Sequence, residues 1–289
     1  MSHPPPERFL HGKVAIVTGA GAFGDGIGNG RAAALLLAQD GCSVVCVDLQ
    51  HGLAQRTVEM IQAAAGTGAG VAVAADVTKE DDCRKVVALA VEKYGRLDIL
   101  VNNVGITGPK GTATEVDLQA FYKAMEVNVG SMIMMAKYAI PEMRKNQGQC
   151  AGAIVNLASV AGLRGGHPAI FYPTSKGSVV NMTRAMATHH GKDRVRVNCV
   201  CPGMVYTPMM YGVKGGMSDA ERKARASRSI LRTEGSGWDV GAAVRFLASD
   251  CARWLTGVIL PVDAGATAAV GLGIPALHDA FLGTTGAKL

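Results

Sequence analysis

Residues 13–48 read KVAIVTGAGAFGDGIGNGRAAALLLAQDGCSVVCVD, and their order decides the fold. Residues 13–18 form a short β-rich run. Glycines follow at 19, 21, 24, 26, 28 and 30. Residues 31–40 are dense in alanine and leucine, the best helix formers, and Gly41 stops them. Residues 43–48 are a second β-rich run that closes on an acid. Strand, glycine turn, helix, strand, acid is the order of a dinucleotide-binding unit. The glycines let backbone approach a pyrophosphate, and the helix N-terminus offers free N–H groups and a positive dipole end. Two registers of the turn compete. Gly19, Gly21 and Gly24 fit the generic G-x-G-x-x-G spacing, but they leave Gly26, Gly28 and Gly30 inside the helix at roughly 1 kcal/mol each relative to alanine. A helix starting near Gly28, with Gly19, Gly26 and Gly28 as the working glycines, is the preferred register.

The alternation continues outward. Residues 52–66 carry a helical pattern, 70–75 a strand ending at Asp76, and 79–94 a helix. Residues 97–101 are a strand followed by Asn102-Asn103-Val104-Gly105. Residues 115–146 hold a long helix or helix pair containing Asn128. Strands over 153–158, 195–200 and 257–262 are separated by helices over 173–190, near 218–230 and over 237–249. This predicts an α/β fold, a Rossmann-type doubly wound parallel sheet with helices on both faces. A single domain is expected over residues 12–265, between a disordered tail (1–11) and a C-terminal extension (266–289).

The 289 residues are 48% hydrophobic but only 5% aromatic, so the core must be aliphatic and alanine-rich. No apolar run is long enough to span a bilayer, and the first residues lack the apolar core of a signal peptide, so no membrane association is expected. Cys42, Cys46, Cys199 and Cys201 lie in or beside apolar runs, as buried free thiols do. The chain has no Cys-x-x-Cys pair or Cys/His ligand cluster, so no metal site and a reducing compartment, the cytoplasm, are expected. The net charge of +6 comes without a long basic run or interleaved aromatics, and nucleic acid is not an expected partner.

The richest chemistry lies between Ser159 and Lys176. The apolar run 153–158 ends at Ser159. Tyr172 and Lys176, four apart, share a helix face. Pro173 suits a first helical position and sets Tyr172 at the helix entrance. An ammonium beside a phenol lowers a pKa that is about 10 in isolation. Such a phenol can exchange a proton with a substrate oxygen near neutral pH, and Ser159 can hydrogen-bond the same oxygen.

Over roughly residues 12–265 these motifs resemble the short-chain dehydrogenase/reductase family. Thr18-Gly19 with Gly26-Ile27-Gly28 resembles its Thr-Gly-x-x-x-Gly-x-Gly turn, and Asp76-Val77 its adenine-contacting acid. Asn102-Asn103-Val104-Gly105 resembles its Asn-Asn-Ala-Gly, and Pro202-Gly203 with Thr207 its Pro-Gly motif. Asn128, Ser159, Tyr172 and Lys176 match its catalytic tetrad. The resemblance implies hydride transfer between a nicotinamide cofactor and a small-molecule secondary alcohol or ketone. Tyr172 would be the acid/base, and Lys176 would lower its pKa and bond the nicotinamide ribose. Ser159 would position the substrate oxygen, and Asn128 would hold a relay water. The resemblance also implies cofactor contacts from Gly19, Gly26, Ile27, Gly28, Asp48, Asp76, Val77, Asn103, Val104, Gly105, Pro202, Gly203, Val205 and Thr207, and assembly as a homotetramer or homodimer. Asp48 would accept hydrogen bonds from the adenosine ribose and repel a 2′-phosphate, favouring NAD over NADP. An NADPH-dependent ketone or 3-oxoacyl reductase is the alternative enzyme. A cofactor-binding regulator or scaffold is the non-enzyme alternative, which the intact tetrad disfavours.

Two departures stand out. Six residues, 20–25, separate Gly19 from Gly26 where the family has three; the insert either tilts outward or reshapes the cofactor mouth. Asp263-Ala264-Gly265 replaces the common Asp-Gly-Gly. Residues 205–232 should form a substrate lid carrying Arg222, Lys223, Arg225, Arg228 and Arg232, either attracting an acidic substrate or forming a solvated helix face. His167, Phe171 and Met209 are candidate pocket residues. Ala287-Lys288-Leu289 is one small residue away from the peroxisomal Ser-Lys-Leu address.

Overall fold

In the computed structural model, residues 10–66, 68–211 and 216–269 are described. They build one seven-stranded parallel sheet in the order β3-β2-β1-β4-β5-β6-β7. The strands are β1 (Val14–Thr18), β2 (Ser43–Asp48), β3 (Gly70–Ala74), β4 (Ile99–Asn102), β5 (Gly152–Leu157), β6 (Val195–Pro202) and β7 (Ile259–Val262). The order reverses between β1 and β4, which opens a crevice at the carboxyl ends of the strands. Successive side chains of a strand point to opposite faces. Ala15 and Val17 of β1 thus join one apolar core, while Val14 and Ile16 join the other. The first core packs α1 (Asn29–Gln39), α2 (His51–Ala65) and α9 (Gly237–Ala248) on the sheet. The second packs α3 (Glu80–Tyr94), α5 (Ser131–Met143) and α6 (Phe171–His190). The doubly wound expectation therefore holds.

Helix α1 begins at Asn29 with extended Gly28 as its cap, the preferred register. Helix α9 lies hard against it. A Cβ on Gly237 would stand 2.6 Å from the Ile27 carbonyl oxygen, and one on Gly241 2.9 Å from Ala32.

Four details refine the expectation. Leu10 is buried and its N–H donates to the Asp40 carbonyl (2.7 Å), so any tail ends before it; residues 1–9 lie outside the described residues. The 115–146 segment is α4 (Leu118–Met125) run into α5 through a π-helical turn, Glu126–Gly130, with Asn128 at its centre. Helix α6 starts at Phe171, so Pro173 is its third residue; a missing N–H costs nothing there because the first turn's N–H groups have no intrahelical partner. The lid holds a short α7 (Pro208–Tyr211) before α8 (Asp219–Ala226). Of the C-terminal extension, Ala266 is buried, whereas 270–289, including Ala287-Lys288-Leu289, lie outside the described residues.

Candidate active site

A cavity of about 1020 Å³ opens along the carboxyl ends of the strands. All the residues expected to act in catalysis or to contact the cofactor line it except Gly26, Ile27 and Asn128.

At the glycine turn, Gly19 has φ +63 and Gly30 sits so close that a Cβ there would stand 2.1 Å from the Gly19 carbonyl oxygen. The Asn103 side-chain amide ties β4 to the turn through the same carbonyl (2.9 Å), and Asn103 N–H donates to Thr18 Oγ1 (3.1 Å). Asp48 stands at the end of β2 and accepts from Gly21 N–H and Gln50 N–H (both 3.1 Å). Asp76 accepts from Thr78 N–H and Oγ1, and these bonds hold its carboxyl below the usual range.

The insert owes its shape to Arg31, a fully buried residue that sequence reasoning passed over. Its Nη1 donates to the Gly24 and Gly26 carbonyls (both 2.7 Å), Nη2 to Ala22 (2.8 Å) and Nε to Thr57 Oγ1 (3.0 Å). Thr57 in turn donates to the Ala20 carbonyl (2.8 Å). One guanidinium fork thus gathers the loop's carbonyls. Asp25 is drawn outward to Arg56 (2.7 Å). Phe23 is 72% exposed yet lines the cavity, and Gly26 tucks under Pro208 and Tyr211 of α7. The insert therefore lines the mouth through Ala22 and Phe23 and meets the lid. Ile27 packs toward the first core.

Across the cavity, Ser159 follows β5 by two residues and caps a short 3-10 turn, accepting from Ala161 N–H (3.1 Å). Tyr172 is half-buried in the first turn of α6. Burial pushes its phenol above the ordinary value, and its interaction with Ser159 works in the opposite sense. Lys176 is buried; its Nζ donates to the Leu157 carbonyl (2.9 Å) and lies 5.8 Å from the Tyr172 ring centroid. Burial pushes this ammonium down to about 8, with Cys199 and Cys201 of β6 raising it slightly. The expectation that Lys176 lowers the phenol's pKa is thus corrected: burial raises it, and the group that opposes burial is Ser159 rather than the ammonium.

Asn128 is fully buried behind the wall. It accepts from Ile106 N–H (2.8 Å) and donates to the Ile106 carbonyl (2.9 Å) and Ser175 Oγ (3.0 Å). It clamps the loop that carries Gly105 beside Lys176, where a Cβ would stand 3.1 Å from Nζ. A second buried chain, Asn102 to Asn156 (2.9 Å) to Thr183 (3.0 Å), couples β4, β5 and α6. His167 and Met209 line the cavity, and the His167 ring lies 5.3 Å from that of Tyr172. Phe171 does not line it; it is buried edge-on against Phe121. Of the lid cations, Arg225 and Arg228 line the cavity and Arg222, Lys223 and Arg232 do not.

A parallel sheet with this switch point, a side-chain-free cradle before a helix, and a serine, tyrosine and lysine on the opposite wall define a dinucleotide-dependent oxidoreductase site. The family model described as Enoyl-(Acyl carrier protein) reductase matches residues 21–267. The chain is 37% identical over 259 residues to meso-2,3-butanediol dehydrogenase of Serratia marcescens, covering 90% of this chain and 96% of the relative. It superposes on a short-chain dehydrogenase/reductase from Burkholderia xenovorans with a TM-score of 0.83 and 38% identity, over 90% and 98% of the two chains. It superposes on 7alpha-hydroxysteroid dehydrogenase complexed with NADH and 7-oxo glycochenodeoxycholic acid with a TM-score of 0.79 and 33% identity, over 89% and 95%. The chain belongs to the short-chain dehydrogenase/reductase family.

Proposed function

We propose that this chain is an NAD-dependent dehydrogenase that interconverts a secondary alcohol and its ketone, with Tyr172 as the acid/base. The observation that carries this reading is the convergence of Ser159, Tyr172 and Lys176 on the wall of a cavity whose other side is the glycine cradle. The residues fit the cofactor. Gly19, Gly21, Gly28 and Gly30 line the cavity without side chains, so a diphosphate can approach the backbone there, and the α1 N-terminus supplies N–H groups for it. Asp48 would hold the adenosine ribose, Asp76-Val77 would face the adenine, and Lys176 with Tyr172 would hold the nicotinamide ribose. Val205 and Thr207 would meet the carboxamide. Bound NAD supplies the hydride acceptor. Tyr172 Oη takes the carbinol proton in oxidation and returns it in reduction, while Ser159 Oγ orients the substrate oxygen.

The same reading assigns the remaining parts. Residues 12–265 form the catalytic domain, residues 205–232 its lid and 266–289 an extension. Asn128 acts by fixing the Gly105–Ile106 loop. Asp48 sits beside Leu49 and Gly21, neither of which brings a positive charge for a 2′-phosphate. Asp48→Ala is expected to weaken NAD about tenfold to hundredfold, the worth of charge-assisted hydrogen bonds, and to narrow the preference over NADP. Titrations with both dinucleotides test this; a wild-type preference for NADP would favour the reductase alternative instead.

The proposed assembly is a homotetramer or homodimer. Leu118 and Tyr122 of α4 and Ile133 of α5 are 56%, 61% and 53% exposed, an apolar face suited to a second copy. Light scattering should return a multiple of the chain mass, and a monomer at micromolar concentration would reject the assembly. Among the described residues no helix is long and apolar enough to cross a membrane. We place the chain in the cytoplasm, with the peroxisome as the alternative carried by its last three residues. An N-terminal fluorescent fusion separates the two: diffuse signal fits the first, and puncta lost on deleting Leu289 fit the second.

A further inference from the structure

The charges that line the cavity are unevenly distributed. Among the described residues that line the cavity, the carboxylates are Asp48 and Asp76, both beyond the switch point at the ends of β2 and β3. The opposite half, formed by the β5–α6 loop, the segment after β6 and the end of the lid, carries Arg164, Arg225 and Arg228 and, among the described residues, no acid. Arg225 is neutralised, since its Nε donates to Glu234 (2.8 Å) and Nη2 to the Val205 carbonyl (3.1 Å). Lys123, nearer Asp76, is paired with Glu126 (2.7 Å). Arg164 and Arg228 have no such match: among the described residues neither pairs with an acid.

These two arginines come from distant parts of the chain but share one rim. Arg164 Nη1 donates to the Ala266 carbonyl (2.6 Å), which anchors the guanidinium and leaves its other N–H groups available. The turn after Arg228 packs on the same segment. Leu231 N–H donates to the Ala264 carbonyl (3.2 Å), and Ile230 closes on Gly265, where a Cβ would stand 2.7 Å from Ile230 Cδ1. We propose that the substrate is a secondary alcohol carrying a carboxylate or a sulfonate, gripped by Arg164 and Arg228 while its carbinol lies at Ser159 and Tyr172. This rests on the dehydrogenase reading above. Guanidinium forks match the planar or trigonal oxygens of such groups. A wall of uncompensated positive charge also draws an anion into the cleft.

The test uses the full chain with NAD and paired methyl carbinols of graded chain length, ending in a carboxylate, a sulfonate or the matching primary amide. The expected kcat/KM for the anions exceeds that for the amides by about tenfold to hundredfold, and the margin shrinks as salt is added. Arg164→Met and Arg228→Met each bring the anion-to-amide ratio toward one, with NAD affinity by titration as in the wild type. Both side chains are exposed, so folding is not at stake. Calorimetry on the chain with NADH should show butyrate binding more tightly than butyramide. Amides oxidised as well as the anions would overturn the proposal and leave the dehydrogenase reading standing. Loss of NAD affinity in Arg228→Met would also overturn it, by assigning that guanidinium to the cofactor diphosphate. Oxidation of no alcohol of either class, with NAD bound, would reject the dehydrogenase reading itself.

Discussion

Tyr172→Phe is expected to lower kcat by about 10²- to 10⁴-fold, the usual worth of a positioned acid/base group, and to leave NAD affinity near that of the wild type. Only the proton-carrying oxygen is lost, while the ring keeps its place beside His167 at the head of α6. Steady-state rates with a cofactor titration check both halves. The same phenol sets the pH dependence. Burial holds it above its ordinary pKa, so it is protonated through the neutral range. Ketone reduction uses the protonated form, and its kcat/KM should be flat near neutrality and fall at alkaline pH. Alcohol oxidation uses the phenolate, and its kcat/KM should climb with pH. Lys176, pushed down to about 8, loses its charge within the same window and bends both limbs. An oxidation rate that peaks below neutral pH would contradict the assignment.

Arg31→Met should damage the cofactor cradle from behind. The guanidinium is the common donor for the Ala22, Gly24 and Gly26 carbonyls, and it also bonds Thr57. Without it the inserted loop has no internal partner for those oxygens, and the turn between β1 and α1 loses its set shape. A loss of about 2–4 kcal/mol in stability is expected from the broken charge-assisted bonds, together with NAD affinity weakened at least about tenfold. Arg31→Lys should recover only part of this, because an ammonium cannot serve the carbonyls with a planar fork. Denaturation and NAD titration report the two effects separately. Unchanged affinity in Arg31→Met would show that the loop holds its form without the clamp.

The parts legible in the sequence were those with a local signature. Apolar strands and alanine-rich helices announce themselves by composition and period, and helix α1 begins next to Gly28, where the cost of internal glycines places it to within a residue or two. Asp48, Ser159 and Tyr172 stand at or just beyond the ends of elements and Lys176 one turn into α6, where a motif's spacing already places them around one crevice. Arg31 is different. By propensity it is only the third residue of a helix, and nothing nearby in sequence signals that its side chain folds back over the preceding loop. Its partner Thr57 lies on another helix. Leu10 has the same difficulty: a proline-rich start suggests a tail, while its burial depends on Asp40. The π turn at Asn128 follows from long-range demand, since this amide must reach both Ile106 and Ser175. Phe171 sits next to Tyr172 in sequence but turns away from the cavity, because Gly108 and Phe121 receive it. The phenol's pKa is illegible in the sequence for a related reason. Sequence shows that a lysine is four residues away, but not that its ammonium is turned to the Leu157 carbonyl and that burial dominates.

The central claim is that this chain moves hydride from a secondary carbinol to NAD with Tyr172 handling the proton. The most direct measurement gives the purified chain NAD and a set of secondary alcohols deuterated at the carbinol carbon, and follows the reduced cofactor by mass spectrometry. The account predicts one deuterium in the nicotinamide ring of the NADH formed by the wild type, and almost none formed over the same period by Tyr172→Phe. Reduced cofactor without deuterium, or the same deuterium transfer at the wild-type rate in Tyr172→Phe, would contradict it.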